Sequence, residues 1–347
     1  MKIKMSTDNI AKWIYKKGLE DNIILYSKVS IYRNIDNIRF YNHIDKDDIE
    51  KIDSILTKEI EELRKLDIHL EKIKLIELPS LDIKLLKENL TIPNKRNLLN
   101  ASLYMDEDEE TSILINSNEH CEIQTIARGL EIEECFNRAY KIESILDKKI
   151  DFAFNKKFGY LTSSPEKIGI AMNLTVSMAI PALIWKTPDN IEYFINKASK
   201  KGLDISIRAG RTMPVLNITN RTMMGVSERD VLNNMLEIVN YILDKEKKMR
   251  AKIKNIDRLN IEDKVYRSRA ILSSARVMNY MEFIKHNLWL RVGLDCNIID
   301  DIDLDTLSYM IFISKNNHLK SMFNNKKKYK KASEMRAAVL RNIMNPQ

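Results

Sequence analysis

Apolar residues recur at helical spacing in several stretches of the chain. From residue 44 to 66 they are separated mostly by Asp, Glu and Lys, which predicts an amphipathic surface helix. The same spacing predicts a second helix from about Glu131 to Lys149. Ser227 followed by Asp230 is a capping signal, and it predicts the start of a long helix that reaches the charged stretch near residues 245–254.

Two extended segments and one further helix are predicted between these helices. Residues 112–116 (SILIN) are typical of a short strand, and residues 174–180 alternate between apolar and hydroxyl side chains. Thr187 and Pro188 are predicted to be the N-cap and the first residue of a helix, which Gly202 is placed to end.

The last quarter of the chain carries only helical patterns. Apolar spacing from about residue 255 onward is clearest in residues 265–279, 304–313 and 334–343. The sequence therefore predicts a mixed region of strands and helices over residues 1–250 and a helical domain over residues 251–347.

The composition supports a folded chain and excludes several classes of protein. Of the 347 residues, 44% are hydrophobic and 31% are charged, which is enough apolar material for a core and excludes general disorder. With 8 glycines and 7 prolines, the chain is neither collagen-like nor of low complexity. The Gly-rich phosphate-binding motifs of P-loop and Rossmann proteins do not occur in it.

Charge and cysteine content bear on partners and location. The net charge is +8, but basic and acidic residues interleave, and we interpret the dense run Lys326–Lys331 as a solvated loop before the last helix. The functional alternative for this run is a contact with nucleic acid or an acidic partner. Three scattered cysteines, with neither a signal-peptide pattern nor a long apolar run, predict a cytoplasmic protein without a disulfide framework or a membrane span.

Few residues invite a chemical interpretation by themselves. Glu119 and His120 could transfer a proton, but neighbours in a strand point to opposite faces, which favours a structural role. Arg208 and Arg211 flank a predicted turn and could bind an anion, although arginines in loops are more often solvated. The five histidines lack i,i+4 pairs, so no metal site is predicted. These residues alone do not identify a function.

Five segments nevertheless resemble, in the same order, those of bacterial protein arginine kinases, which are members of the phosphagen (guanidino) kinase superfamily: residues 13–34, 116–124, 158–183, 216–225 and 265–299. Residues 158–183 (FGYLTSSPEKIGIAMNLTVSMAIPAL) match the family's Gly-Tyr-Leu-Thr-Ser-Cys-Pro segment without a gap. The resemblance implies an α+β fold, in which a phosphagen-kinase-like (glutamine-synthetase-like) antiparallel sheet is flanked by helices and followed by a helical C-terminal domain of dimerisation type. It also implies ATP and Mg²⁺ as the family's cofactors.

The resemblance identifies site positions at which this chain departs from the family. The family's Ser-Arg-x-Arg, whose arginines bind nucleotide phosphates, reads Ser27, Lys28, Val29, Ser30 here. The other positions that the resemblance assigns to nucleotide binding are Glu122, Asn173, Ser177, Ser206 and Arg211. The positions of the two catalytic glutamates and of the cysteine near the substrate hold Ser117, Asn118 and Ser164.

A further family motif near the C-terminus is half kept. In the phosphoarginine-sensing motif Arg-Asp-x-x-Arg-Ala, Ala332 and Ser333 replace the first two residues, while Arg336 and Ala337 remain. The resemblance therefore implies a remnant of a phosphoarginine pocket in the predicted helical domain.

These substitutions predict a catalytically defective relative that acts in binding or regulation. A charged hydrogen bond is worth about 1.5–3 kcal/mol, so the loss of three arginines weakens phosphate binding severely, and little or no ATP binding is expected. The implied partners are a second copy of the chain, a related kinase or an adaptor, or a protease–chaperone system. One alternative is an active kinase with a rearranged site, using Lys28, Arg208 or Arg211 on the phosphates and Glu119 with His120 for proton transfer. A nucleic-acid-binding protein is the third hypothesis, and it has no motif in its support.

Overall fold

The computed structural model describes residues 9–94, 98–208, 215–221, 223–323 and 331–345, and the following bounds refer to these residues. The strands are β1 (Ile24–Arg33), β2 (Glu71–Lys74), β3 (Ser102–Met105), β4 (Thr111–Ile115), β5 (Cys121–Ala127), β6 (Phe154–Asn155), β7 (Gly159–Tyr160), β8 (Met172–Ala179), β9 (Leu203–Arg208) and β10 (Val215–Asn220). The helices are α1 (Lys46–Glu62), α2 (Ser80–Glu88), α3 (Ile132–Asp147), α4 (Pro181–Lys186), α5 (Asn190–Ser199), α6 (Glu228–Ile256), α7 (Arg258–Ser274), α8 (Tyr280–Asp295), α9 (Leu304–Ile313), α10 (Asn316–Phe323) and α11 (Ala332–Met344).

Eight of the strands form one antiparallel sheet in the order β2-β3-β4-β5-β1-β8-β10-β9, and β6 pairs with β7 in a separate hairpin. The central strand β1 pairs with β5 on one side and β8 on the other, so that Ser30 lies opposite both Gln124 and Asn173. Because side chains opposite each other in a sheet share a face, this register decides which residues of distant segments can meet.

The two faces of the sheet are covered by different parts of the chain. The apolar side chains of α1, α3, α5 and α6 pack on one face and form the first hydrophobic core. A second core joins α7 to α11 to residues 10–14 and to a few sheet residues, among them Ile126, Ala179 and Val215. The C-terminal helices and the N-terminal segment therefore cover part of the opposite face. The α+β fold predicted from the sequence is confirmed, with an antiparallel sheet, flanking helices and a helical C-terminal region.

Local signals in the sequence explain where the main helices begin. Asp45 caps α1, since its carboxylate accepts from the backbone N–H of Asp48, and Ser227 and Asp230 form a capping box at the start of α6. The predicted capping signal of the long helix is thereby confirmed. Helix α6 ends at Ile256 and runs through residue 250, and the division of the chain into two domains there stays a prediction.

Two predicted helix boundaries are wrong. Thr187 is not the N-cap of α5: its hydroxyl donates to the Leu183 carbonyl at 2.9 Å and so ends α4, while α5 begins at Asn190 after Asp189. The helix predicted for residues 265–279 ends at Ser274, because the next residues turn into an extended backbone. Met278, within this extended stretch, donates its N–H to the Ser333 carbonyl at 3.0 Å. Apolar spacing indicates a helix but does not show where a tertiary contact stops it.

In the described ranges, no helix is long and apolar enough to cross a membrane.

Candidate functional site

The strand register gathers most of the predicted nucleotide-binding positions on one face of the sheet. We use the term polar face for the set Lys28, Ser30, Glu122, Gln124, Asn173, Thr175, Ser177, Asp204, Ser206 and Asn217, which lie opposite one another on β5, β1, β8, β10 and β9. Most of the alternate residues of these strands are apolar, belong to the first hydrophobic core and face the other way. Arg211 lies outside the described residues, and Arg208 is the last residue of β9.

Ser27 is the one described nucleotide-binding position that lies on the opposite face. Its hydroxyl donates to the Gly129 carbonyl at 2.7 Å and accepts from the N–H of Glu131 at 3.1 Å. These two bonds fix the turn that leads from β5 into α3. The side chain is fully buried there. Its geometry is that of a structural hydroxyl and not of a phosphate ligand.

The described side chains of the polar face carry no surplus of positive charge. Among its described side chains Lys28 is the only cation, and its ammonium lies 3.4 Å from the Gln124 amide oxygen. The amide nitrogen of Gln124 in turn donates to the carbonyls of Leu90 and Thr91. Glu122, which is buried, and Asp204 add two carboxylates to the same face.

This arrangement does not fit ATP with Mg²⁺. A nucleoside triphosphate brings several negative charges, and the family resemblance implies arginines where this face has Lys28, Ser30 and Asn173. A carboxylate at the Glu122 position, if it lay about 4 Å from a phosphate charge, would cost roughly 4 kcal/mol at an effective dielectric constant of 20. The described residues also contain no cluster of three or more His, Cys, Asp or Glu side chains that could hold a metal ion.

The loop between β4 and β5 holds Glu119 at a meeting point of three segments. One carboxylate oxygen of Glu119 accepts from the Asn34 amide and from the backbone N–H of Ser163, both at 2.8 Å. The other oxygen lies 3.8 Å from the Lys167 ammonium, which sits 3.5 Å above the Tyr32 ring. Glu119 is fully buried and so acts as a tie between the loop, the end of β1 and the segment of Ser163.

His120 has both ring nitrogens engaged by the backbone. Its Nδ1 accepts from the N–H of Ile35 at 3.0 Å, which requires that Nδ1 carries no proton. Its Nε2 then donates to the Arg39 carbonyl at 3.0 Å. Burial lowers the pKa of His120 to about 4, so the ring is neutral near pH 7. A proton-transfer role with Glu119 would break a contact that holds the loop.

Of the substituted catalytic positions, Ser117 and Asn118 lie in this loop and Ser164 lies in the segment that contacts it. Ser117 is buried, and its hydroxyl has no hydrogen-bond partner among the described residues, while Asn118 is half-buried. Ser164 precedes a short 3₁₀ turn, and its carbonyl accepts from the Thr162 hydroxyl at 2.8 Å. The bond from Ser163 to Glu119 brings the segments of Ser117 and Ser164 together. Sequence reasoning could not have found this contact, since nothing in the spacing of the two segments predicts it.

The segment that contains Ser164 is fixed by a close backbone approach at Gly169. Gly169 has a φ of +126°, and a Cβ there would lie 2.0 Å from the Met223 carbonyl oxygen. Two bonds between Tyr160 and Gly169 close the loop between them. Only glycine fits at this position, so the closure of the loop depends on Gly169.

The phosphoarginine-pocket remnant is occupied by structural contacts. Arg336 is buried and donates to the carbonyls of Ser314 and Met278 and to the Asn316 side chain at 2.7–2.9 Å. Burial lowers its pKa. Ala337 belongs to the second hydrophobic core. The guanidinium of Arg336 thus ties three segments of the helical region together.

The polar face leads at one end into a cavity of about 490 Å³ under the C-terminal helices. Ser177 and Asn217 of the polar face line it, together with Arg128 and with Arg291 of α8. Sequence reasoning missed both arginines. A signal was available for Arg291, because an arginine within the apolar run Leu288–Leu294 is atypical of a solvated position.

Solved structures of phosphagen kinases share this fold. Lombricine kinase aligns with a TM-score of 0.56 and 15% sequence identity over 67% of this chain and 69% of its own. The substrate-free duplicated taurocyamine kinase of Schistosoma mansoni aligns with a TM-score of 0.56 and 18% identity, over 67% of this chain and 35% of its own. The antiparallel sheet and its flanking helices are therefore those of the phosphagen kinase class.

Sequence comparison narrows the class. The profile of the ATP:guanido phosphotransferase C-terminal catalytic domain matches residues 51–249, and that of the protein-arginine kinase McsB C-terminal domain matches residues 258–347. Protein-arginine kinases of Pelotomaculum thermopropionicum and Bacillus subtilis are 31% and 26% identical, over 86% and 96% of this chain and 86% and 93% of their own length. This chain belongs to the protein-arginine kinase family within the ATP:guanido phosphotransferases.

Proposed function

We propose that this chain is a catalytically defective member of the protein-arginine kinase family that acts by binding, as a regulatory pseudokinase. The observation that carries the proposal is the charge of the polar face, where Lys28 stands against Glu122 and Asp204 among the described side chains. Phosphoryl transfer depends almost wholly on positioning and on electrostatic stabilisation of the phosphates. A face without surplus positive charge supplies neither for a triphosphate.

The acid–base groups support the same proposal. Ser117 and Asn118 occupy the positions that the family resemblance assigns to glutamates, and neither can accept a proton from a guanidinium group. His120 is neutral and bonded at both nitrogens. A kinase with a rearranged site would need Glu119 and His120 to leave contacts that hold the β4–β5 loop, and no observation favours that alternative.

Partners and location follow from the same proposal. A pseudokinase acts through what it binds, and the candidates are a second copy of this chain, a related active kinase, an adaptor or a protease–chaperone system. A cytoplasmic location accords with three buried free cysteines and stays part of the proposal. Size-exclusion chromatography with light scattering tests the homodimer, and a clean monomer at micromolar concentration would count against it.

Titration calorimetry with ATP and Mg²⁺, carried to millimolar ligand, is the direct test. We expect no saturable heat and no phosphoarginine in a transfer assay with an arginine-rich protein substrate. The matched gain-of-charge variant is Lys28→Arg with Ser30→Arg and Glu122→Arg, which restores the family's residue types on the polar face and is expected to gain measurable nucleotide affinity. Tight ATP binding by the unmodified chain, or phosphotransfer that is lost in Glu119→Gln, would overturn the proposal.

A further inference from the structure

The cavity at the end of the polar face is apolar over most of its lining. Trp13, Ile14, Ile284 and Phe312 are among the side chains that line it, so its walls are largely hydrocarbon and aromatic. Its volume of about 490 Å³ lies within the range of small-molecule sites, which is about 300–1,000 Å³. Water alone is poorly stabilised in a cavity with such walls.

Three buried polar atoms in this lining lack a hydrogen-bond partner among the described residues. They are the Trp13 indole Nε1, the Arg128 Nε and the Asn217 side-chain oxygen, and all three residues are less than 5% exposed. A buried polar group without a partner costs about 1–3 kcal/mol, and native proteins contain few of them. Two of the three atoms are donors and indicate a ligand with an acceptor group, while the Asn217 oxygen is an acceptor and needs a donor of its own.

Arg291, also in the lining, carries a buried charge that no contacting carboxylate neutralises within the described residues. Its guanidinium donates to the backbone carbonyl of Asp21, the Asn287 amide oxygen and the Ser308 hydroxyl, which are all uncharged groups. Arg128, by contrast, forms ion pairs with the carboxylates of Asp21 and Asp305 at 2.9 and 2.8 Å. A buried guanidinium with only neutral acceptors is costly, and a bound anion would offset that cost.

Charge in the rest of the lining has the same sign. Lys315 is a third cation in it, and none of the described lining residues is an Asp or a Glu. Burial, together with the charges of Arg128 and Arg250, lowers the pKa of Arg291 to about 9, although the charge of the Asp21 carboxylate opposes this shift.

We propose that this cavity binds an amphipathic organic anion, with a hydrocarbon or aromatic body against Trp13, Ile284 and Phe312 and one acidic group at Arg128 and Arg291. The apolar walls account for the body and the unpaired donors for the acidic group. The proposal does not depend on the loss of phosphotransfer. A nucleotide is a poor fit to this site. Arg128 is already paired with Asp21 and Asp305, which leaves Arg291 and Lys315 to face the several charges of a triphosphate, and the polar sugar would meet apolar walls.

Calorimetry on the full-length chain tests the proposal with defined probes. The probes are decanoate and naphthalene-2-carboxylate, and the neutral control is naphthalene-2-carboxamide. We expect saturable binding of one carboxylate per chain and a preference over the carboxamide of about tenfold or more, since a charged hydrogen bond contributes about 1.5–3 kcal/mol. Absence of binding by both carboxylates, or equal binding of the acid and the amide, would refute the anion site.

Variants locate the binding. Ile284→Trp fills the cavity and is expected to abolish saturable binding, while Ile256→Trp, at a residue that is 71% exposed, is expected to leave it unchanged. Trp13→Phe keeps an aromatic side chain but removes the indole N–H, so the carboxylate should bind about fivefold more weakly. This milder variant decides the question if Ile284→Trp does not fold. Competition by ATP for the carboxylate site would show a nucleotide pocket and overturn the assignment.

Discussion

The two ends of the polar face differ in the charged groups that they bury. At the loop end, Glu119 and His120 are bonded to backbone and side-chain partners that fix them, and the positions of the substituted catalytic residues are small and neutral. At the cavity end, Arg128 and Arg291 are buried beside unpaired polar atoms under the C-terminal helices. The two ends therefore differ in the sign of their buried charge, with a carboxylate beside small neutral side chains at the loop end and two guanidinium groups at the cavity end.

The largest expected effect comes from removing a buried charge at the cavity end. Arg128→Met leaves Asp21 without its 2.9 Å ion pair and removes the bond to the Ile14 carbonyl. Breaking a buried pair on one side typically costs about 3–5 kcal/mol, so we expect that loss in the free energy of unfolding, measured in urea. Arg229→Met is the control, because Arg229 pairs with Glu133 while the two side chains are 57% and 60% exposed, and it should cost about 1 kcal/mol or less. Equal costs for both variants would contradict the contrast.

At the loop end, lowering the pH should reduce the free energy of unfolding, because His120 is neutral in the folded chain. The pKa of His120 is about 4 in the folded chain and 6.5 in the reference state, so the unfolded chain binds more protons between these values. Stability therefore falls as the pH drops from about 6.5 towards 4, by up to about 3 kcal/mol from this residue. Urea unfolding at a series of pH values measures the slope, and His120→Gln should flatten it.

A buried carboxylate elsewhere provides a control of opposite sign for that slope. Burial raises the pKa of Glu109 to about 7, so the folded chain holds the extra proton between pH 4.5 and 7, and this contribution to stability is lost as the pH rises through that window. Glu109→Gln removes the opposing contribution and should make the acid-side loss steeper. A slope that neither variant changes would show that His120 is not the titrating group.

Sequence predicted the architecture better than the site, and particular residues show why. The capping box of Ser227 and Asp230 and the apolar spacing of α1 are local signals, and they gave correct elements. The central strand β1 was not predicted, because its pairing partners β5 and β8 lie about 90 residues or more away and its own pattern mixes Tyr, Lys and Ser with apolar residues.

The arrangement of the site depends on tertiary contacts that the spacing of residues along the sequence does not predict. The family resemblance identified which positions to inspect, but Ser27 faces α3, and its two bonds to residues 129 and 131 exist only once β1 and β5 pair. The cavity likewise forms from residues near the N-terminus, the sheet and α8. The arginine at position 291, within an apolar stretch of α8, was the only local signal of this cavity in the sequence.

An intermediate effect is expected from the carboxylate that ties the loop end together. Glu119→Gln keeps the shape but turns one buried oxygen into an amide and weakens the bonds from Asn34 and Ser163, so we expect a loss of about 1–3 kcal/mol in the free energy of unfolding. Glu131→Gln, whose carboxylate accepts from the Leu19 N–H at the exposed surface, is the control and should change stability by about 1 kcal/mol or less. No loss in Glu119→Gln would contradict the structural role.

The smallest effect is expected in the middle of the polar face, between its two ends. Lys28→Met removes one cation, whose contacts include a long one of 3.4 Å to the Gln124 amide oxygen, and keeps the half-buried hydrocarbon stem, so the free energy of unfolding should change by about 1 kcal/mol or less. Phosphate or ATP binding should be undetectable before and after the change. If Lys28→Met instead abolished a measurable nucleotide affinity, the middle of the face would still work as a phosphate site. The two ends of the polar face would then differ only in their contributions to stability, because a face without the family's arginines would still bind a nucleotide.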